Sequence, residues 1–246
     1  MRKIIASLDI GSHTIKLVVG EIMRNKLNIL ACVDTPSRGI KKGFVVNPES
    51  AIEALSDVFK KGEEQIGLKI TKVIVSCPTN DLECFLSEGY ASITNEEHIV
   101  TGADIIKSMQ TAVYNKVMDN REIVGLLPTK FLIDDSSVTN NPLHMHAEKL
   151  KVKVVVATVP KKNVNSIIKC LEKIGVTVVD VTVGPIGDYY EFKTKEMENS
   201  VCGVINIGSD TIETAVFKGG IIFNSNTIKT GSASIDTEIS YIYNVK

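Results

Sequence analysis

One eight-residue phrase occurs twice in this chain, and it limits the fold more than any other feature. Asp9-Ile10-Gly11-Ser12-His13-Thr14-Ile15-Lys16 returns near the other end as Asn206-Ile207-Gly208-Ser209-Asp210-Thr211-Ile212-Glu213, with five of the eight positions identical. Repetition at the level of a whole unit outranks local propensity as a guide to architecture. Each copy sits at the turn between the first and second strands of a three-strand unit. The first unit reads as strands 3–9, 15–21 and 27–33, rich in β-branched residues, with Asn25 and Lys26 marking its second turn. The second reads as Val201–Ile207, Ile212–Phe217 and Ile221–Ile228, with Gly219-Gly220 closing a tight turn. A chain that opens on three successive strands does not begin as an ordinary dinucleotide-binding fold.

The chemistry of such a turn is specific. Glycine leaves the backbone uncovered, so amide groups can approach an anion. Successive turn amides make a concave, positively polarised nest. Ser12, Thr14, Ser209 and Thr211 add hydroxyl donors. Two facing turns can grip one triphosphate from both sides. Asp9, just before the first glycine, repels phosphate directly, so it is useful there only by holding a cation, most simply Mg²⁺ through its hydration shell. A bare glycine hairpin explains one copy as well as a ligand site does, but it explains two matched copies poorly.

Between the repeats the texture changes. Asn47-Pro48 opens a helix as cap and first helical residue, with Ile52, Leu55 and Phe59 on one face and Gly62 and Gly67 bracketing the end. Lys72–Cys77 is a short buried-type strand broken by Pro78. Thr101 and Asp104 resemble a capping box, with Asp in place of the usual Glu or Gln, before an amphipathic stripe of Ile105, Met109, Ala112, Val113 and Val117. Leu126–Ile133 and Leu150–Thr158 read as strands flanking a polar loop, Asp134–Pro142, so residues 84–150 look like an inserted α+β unit. Asn163–Ile174 is a helix ended by Gly175, Val176–Val183 a strand, and Asp188–Met197 a helix.

Composition excludes several classes. With 28 Lys and Arg against 29 Asp and Glu, the net charge of −1 gives no electrostatic footprint for nucleic acid or an anionic membrane. No stretch approaches the roughly 18 apolar residues of a membrane span, and the apolar run before Asp9 is too short for a signal peptide. These features point to the cytoplasm. Cys32, Cys77, Cys84, Cys170 and Cys202 show no metal or redox spacing and read as reduced, mostly buried thiols. His144 and His146 make an H-x-H pair without a third ligand at a suitable spacing, so a bystander loop outweighs a metal site.

In its repeated turns the chain resembles the actin, heat-shock and sugar-kinase ATPases. Within them it is most similar to the FtsA family of bacterial cell-division proteins. The closer resemblance rests on Ser7 to Ser12, Lys16 to Glu21, Ser37 to Gly43, Phe131 to Asp134, Asn141 to Leu143 and Lys169 to Val176, in order along all 246 residues. It implies an α/β, actin-like (ribonuclease H-like) ATPase fold. The core subdomain would be 1–83 with 160–198, the FtsA-type inserted subdomain 84–159, and 199–246 the start of a second domain. It implies ATP and Mg²⁺ as cofactors. Asp9 and Lys16 would lie near the metal and phosphates, Gly11, Ser12, His13 and Thr14 would form one cradle, and Asn206, Gly208, Ser209, Asp210 and Thr211 the other. Lys16 reads either as a buried counter-ion or as a solvated strand lysine. The family's partners would be FtsZ and other division proteins, with self-association through the insert. Its place would be the cytoplasmic face of the membrane at the septum, reached through a C-terminal amphipathic helix that lies outside this sequence.

Two departures from the family pattern stand out. Asn206 replaces an Asp, keeping shape and losing charge, which puts hydrolysis in more doubt than binding. Thr158, near where a water-orienting side chain is expected, is a poor base. The chain also breaks off a few residues into an expected helix, Ser234–Tyr243, just after Gly231-Ser232-Ala233. If nothing followed, the second unit would expose strand edges and half-covered sheet faces. The leading function is therefore a nucleotide-binding, polymerising division scaffold without a catalytic residue of its own. The alternatives are a small-molecule kinase or phosphatase of the same superfamily and a degenerate interaction module that binds no nucleotide.

Overall fold

The computed structural model describes residues 3–24 and 26–245, so Asn25, one half of the expected turn, lies outside the described residues. Three antiparallel strands open the chain: β1 (Lys3–Ile10), β2 (Thr14–Met23) and β3 (Lys26–Pro36). A small hairpin of β4 (Ile40–Lys41) and β5 (Phe44–Val45) leads into helix α1 (Pro48–Ile66) and strand β6 (Lys72–Cys77). The inserted stretch contains β7 (Glu83–Ser92), α2 (Gly102–Val113), β8 (Arg121–Ile133), β9 (Ser137–Thr139) and β10 (Lys149–Pro160). The chain returns through α3 (Lys161–Lys173), β11 (Thr177–Val183), α4 (Gly184–Phe192) and α5 (Lys195–Glu198). It closes with β12 (Val201–Ile207), β13 (Ile212–Lys218), β14 (Ile221–Ile228) and α6 (Ala233–Tyr243).

The principal sheet runs in the order β11-β6-β1-β2-β3. Strands β6 and β11 join it in parallel, and the first hairpin supplies its antiparallel half. Helices α1 and α3 cover it, and Leu8, Ile15, Leu17 and Val19 of the sheet meet Leu55, Val58 and Phe59 of α1 and Ile167 and Leu171 of α3 in one buried cluster. The ends of α1 follow its sequence. Asn47 Oδ1 accepts from the Ser50 amide at 3.1 Å, Pro48 takes the first turn, and Gly67 closes the helix with a left-handed φ of 70°.

The insert is a four-stranded sheet, β7-β10-β8-β9, with α2 lying on one face. Thr101 and Asp104 make the reciprocal capping box. Helix α2 approaches β7 at Gly89 so closely that a Cβ there would lie 2.1 Å from the Ser108 carbonyl oxygen. A separate core joins this insert to the rest: Val124, Ala157 and Val159 pack with Val164, Val183, Tyr189, Ala215, Phe217 and Ile222. Tyr189 stacks on Phe217 with ring centroids 4.2 Å apart.

Several expected boundaries shift. The helix expected over Asp188–Met197 is two helices, broken at Lys193 (ψ 137°) and restarted where the Thr194 side chain caps the Met197 amide. The polar loop Asp134–Pro142 contains the short strand β9. The second three-strand unit forms the sheet β12-β13-β14, with Ile205, Ile207 and Phe223 exposed along it and Ile235 and Ile242 exposed on α6. Of the five cysteines, Cys77 and Cys170 are buried, Cys84 and Cys202 half-buried, and Cys32 is exposed, so burial is less general than the sequence suggested.

Candidate functional site

The two repeated turns are built alike. The Gly11 amide donates to the Thr14 carbonyl at 3.1 Å, and the Gly208 amide donates to the Thr211 carbonyl at 2.9 Å. Neither glycine has a positive φ. A Cβ would stand 2.8 Å from Thr14 O in the first turn, too close for any side chain without a shift, and 3.0 Å from Thr211 O in the second, a tight approach. The amides of Ser12 and His13, and of Ser209 and Asp210, carry no hydrogen bond among the described residues. Four unmatched donors at two tight bends are what an anion requires. The second turn is braced from behind: Ser232 and Ala233 donate their amides to the carbonyls of Gly208 and Ser209 at 2.9 and 3.0 Å, and Gly231 packs flush against the same backbone.

Both turns open onto one cavity of about 280 Å³. Its lining includes Asp9, Gly11, Ser12, His13, Thr14 and Lys16 from the first hairpin and Asn206, Gly208, Ser209, Asp210 and Thr211 from the second. All eleven residues singled out by the repeat therefore share one space. Lys16 is exposed there rather than buried, which favours the solvated reading of that lysine. The tip of the β4–β5 hairpin bridges the turns, with the Lys42 amide donating to Asp210 Oδ2 at 3.2 Å and the Gly43 amide to Ser12 Oγ at 3.4 Å. Thr158 is elsewhere: it is buried, and its hydroxyl accepts from Arg121 Nε at 2.8 Å, so it does not orient a water in this cleft.

The repeat did not reveal two further acids. Glu213, opposite Asn206, lines the cavity, and its carboxylate accepts from the Thr79 amide at 3.4 Å and from the Thr79 hydroxyl. Asp188 of α4 stands behind the cavity and accepts from Asn206 Nδ2 at 3.2 Å. Loss of hydration raises the pKa of Asp9, with Lys16 opposing and Asp188 reinforcing the shift, although the Asp9 side chain still reaches cleft solvent. Burial also raises Asp188 and Glu213, partly offset by Asn206 and Thr79 respectively. Cys77, on the same wall, is pushed by burial to about 12 and stays a thiol.

Glycines at both bends, free amides and hydroxyls fit a polyphosphate. The protein's own metal ligands are sparse: among the described residues no group of three or more His, Cys, Asp or Glu side chains is placed to hold a metal ion. A cation here would be held jointly with phosphate oxygens and water. Also among the described residues, no helix is long and apolar enough to cross a membrane.

Twin hairpins facing a shared cleft, one on a β11-β6-β1-β2-β3 sheet, define an actin-like ATPase fold, and comparison with solved structures agrees. The chain matches the PilM-PilN type IV pilus biogenesis complex with a TM-score of 0.64 at 15% identity, covering 98% of this chain and 66% of the other. It matches the ethanolamine utilization protein EutJ from Carboxydothermus hydrogenoformans with a TM-score of 0.56 at 13% identity, over 99% and 58% of the two chains. Residues 79–158 match the family model described as the SHS2 domain inserted in FtsA. Cell division protein FtsA of Bacillus subtilis is 26% identical over 95% of this chain, that of Pseudomonas aeruginosa 28% over 97%, and that of Escherichia coli 26% over 98%. The chain is thus similar to FtsA proteins along nearly its whole length, and its residues 79–158 fit the domain inserted in them. It spans about half the length of these relatives, between 53% and 57% of each.

Proposed function

We propose that this chain binds ATP with Mg²⁺ between its two glycine turns and serves bacterial cell division as an actin-like scaffold. The observation that carries this reading is the convergence of both copies of the repeat on one cavity. Gly11, Ser12, His13 and Thr14 would cradle the phosphates from one wall, and Gly208, Ser209, Asp210 and Thr211 from the other, with Asn206 beside them. Asp9 would hold the hydrated metal, and Lys16 would offset phosphate charge from the cleft side. The metal would supply charge neutralisation between the phosphate oxygens.

The scaffold role rests on the likeness to FtsA proteins. Septal Z-ring assembly, recruitment of FtsZ and other division proteins, self-association, and a place at the cytoplasmic face of the septal membrane follow from it as parts of the same proposal. Within this reading 1–83 with 160–198 form the core subdomain, 84–159 the insert and 199–246 the beginning of the second domain. Binding rather than turnover is the expected chemistry, because the Asn206 amide carries no charge and cannot act as a base.

Calorimetric titration with MgATP tests the reading. Saturable binding that is lost in Gly11→Val and Gly208→Val is expected, and a wild-type chain that binds no nucleotide overturns it. Substrate-stimulated ATP turnover in a coupled assay against sugars and acids would favour a kinase instead.

A further inference from the structure

The two hairpins carry different charges at equivalent ladder positions. In the first, Asp9 pairs across the strands with Lys16. In the second, Asn206 pairs with Glu213. Directly opposed residues of an antiparallel pair project to the same face, with Cβ atoms about 4.5–5.5 Å apart. Glu213 is thus one strand over from the position where the repeat has lost its acid, on the same face and on the wall of the same cavity as Asp9.

Among the described residues its carboxylate is anchored through one oxygen only. Thr79, itself buried, donates both its amide and its hydroxyl to Oε1, and its hydroxyl lies 2.9 Å from the Thr227 hydroxyl. Oε2 has no hydrogen-bond partner among the described residues. Asn80, only 3% exposed, lines the cavity too, and its Oδ1 is buried with no hydrogen-bond partner among the described residues. A buried acceptor left unmatched is costly and signals a missing donor or ion. An anchored carboxylate with one free oxygen, an unmatched amide oxygen and Asp9 are all oxygen donors, the type a hard divalent cation takes alongside water and phosphate.

We propose that Glu213, in place of residue 206, supplies the second hairpin's carboxylate to the hydrated divalent cation that accompanies the polyphosphate. The proposal rests on the nucleotide reading above. It also accounts for Asn206: with an acid already present at 213, an amide at 206 can donate to Asp188, whereas a carboxylate there would face a second one.

The test titrates the full 246-residue chain with ATP, once in MgCl₂ and once in EDTA. In the wild type Mg²⁺ should tighten binding by at least about fivefold, the scale of one added close charge pair in water. Glu213→Gln keeps an oxygen acceptor for Thr79, and an unchanged melting temperature and circular dichroism spectrum would show that it folds. It should bind ATP in EDTA as well as or better than wild type and lose most of the Mg²⁺ enhancement. Adding Asn206→Asp to Glu213→Gln returns a carboxylate to the same face and should restore the enhancement. An undiminished enhancement in Glu213→Gln overturns this inference alone. No ATP binding by the wild type overturns the nucleotide reading, and this inference with it.

Discussion

The amide of Lys42 donates to Asp210 Oδ2 at 3.2 Å across 168 positions of sequence, tying the small β4–β5 hairpin to the second glycine turn. Lys42 and Gly43 both have positive φ, 49° and 79°, so their amides point inward on one side of the tip, and Gly43 donates to Ser12 of the first turn. The tip therefore touches both turns before any ligand arrives. Asp210 holds a negative charge where a phosphate would sit, and its removal should favour anions. Asp210→Asn is expected to raise ATP affinity in EDTA by about fivefold, the effect of one charge at about 4 Å in water, as read by calorimetry.

The glycines should rank by what a methyl group would strike. Gly231→Ala meets three backbone atoms of the second turn, the nearest at 2.3 Å, and should be the most damaging. Gly11→Ala meets a single carbonyl oxygen at 2.8 Å and should cost about 1–3 kcal/mol, as overpacking does. Gly187, inside α4, has nothing within 4 Å and no positive φ, so Gly187→Ala should stabilise by about 0.5–1 kcal/mol. Thermal denaturation of the three variants checks the order.

Acid titration should separate two kinds of carboxylate. Asp9 has its pKa raised by lost hydration, so ionising it opposes folding, and the stability present at low pH is lost as pH rises through its folded value. Asp9→Asn should therefore raise the melting temperature at pH 7, and the gain should vanish near pH 3, below the ordinary Asp value of about 3.9. Glu88 is the opposite case. Lys151 and Lys153 hold it down to about 2, so its contribution is present at neutral pH and declines as pH falls from the ordinary carboxylate range toward that value. Glu88→Gln should lower the melting temperature at pH 7 slightly and leave it unchanged at the acid extreme.

Thiol labelling should follow burial. Cys32 is exposed, while Cys77 and Cys170 are buried and burial raises the pKa of both. Iodoacetamide at pH 7.5 should modify Cys32 first, with Cys77 and Cys170 reacting only on unfolding, as peptide mass spectrometry would reveal.

Where side chains report their surroundings, the sequence could be read. The opening hairpins, the cap at Asn47 and the capping box at Thr101 all use residues whose local chemistry names their position. Strand β7 had no such signal, because its pattern is inverted. Ser87, Gly89 and Ala91 face inward beneath α2, while Leu86 and Tyr90 face solvent. A helix lying flush on a sheet requires small residues there, and small residues carry no hydrophobic alternation. The cleft was legible from Gly11 and Gly208, but Glu213 was not. It matches a lysine in the first copy, so comparing the copies marked it as a difference rather than a site, and only the register against Asn206 restores its meaning.

Thr79, gripped by Glu213, is also the first residue of the stretch matched as the FtsA insert. The return path enters the same junction, where Asn163 Nδ2 donates to the carbonyl of Asn80 at 3.1 Å. The stalk on which the insert stands is thus clamped from below by the opposite wall of the cleft. Any change in the spacing of the two walls would therefore be felt where the insert leaves and rejoins the rest of the chain.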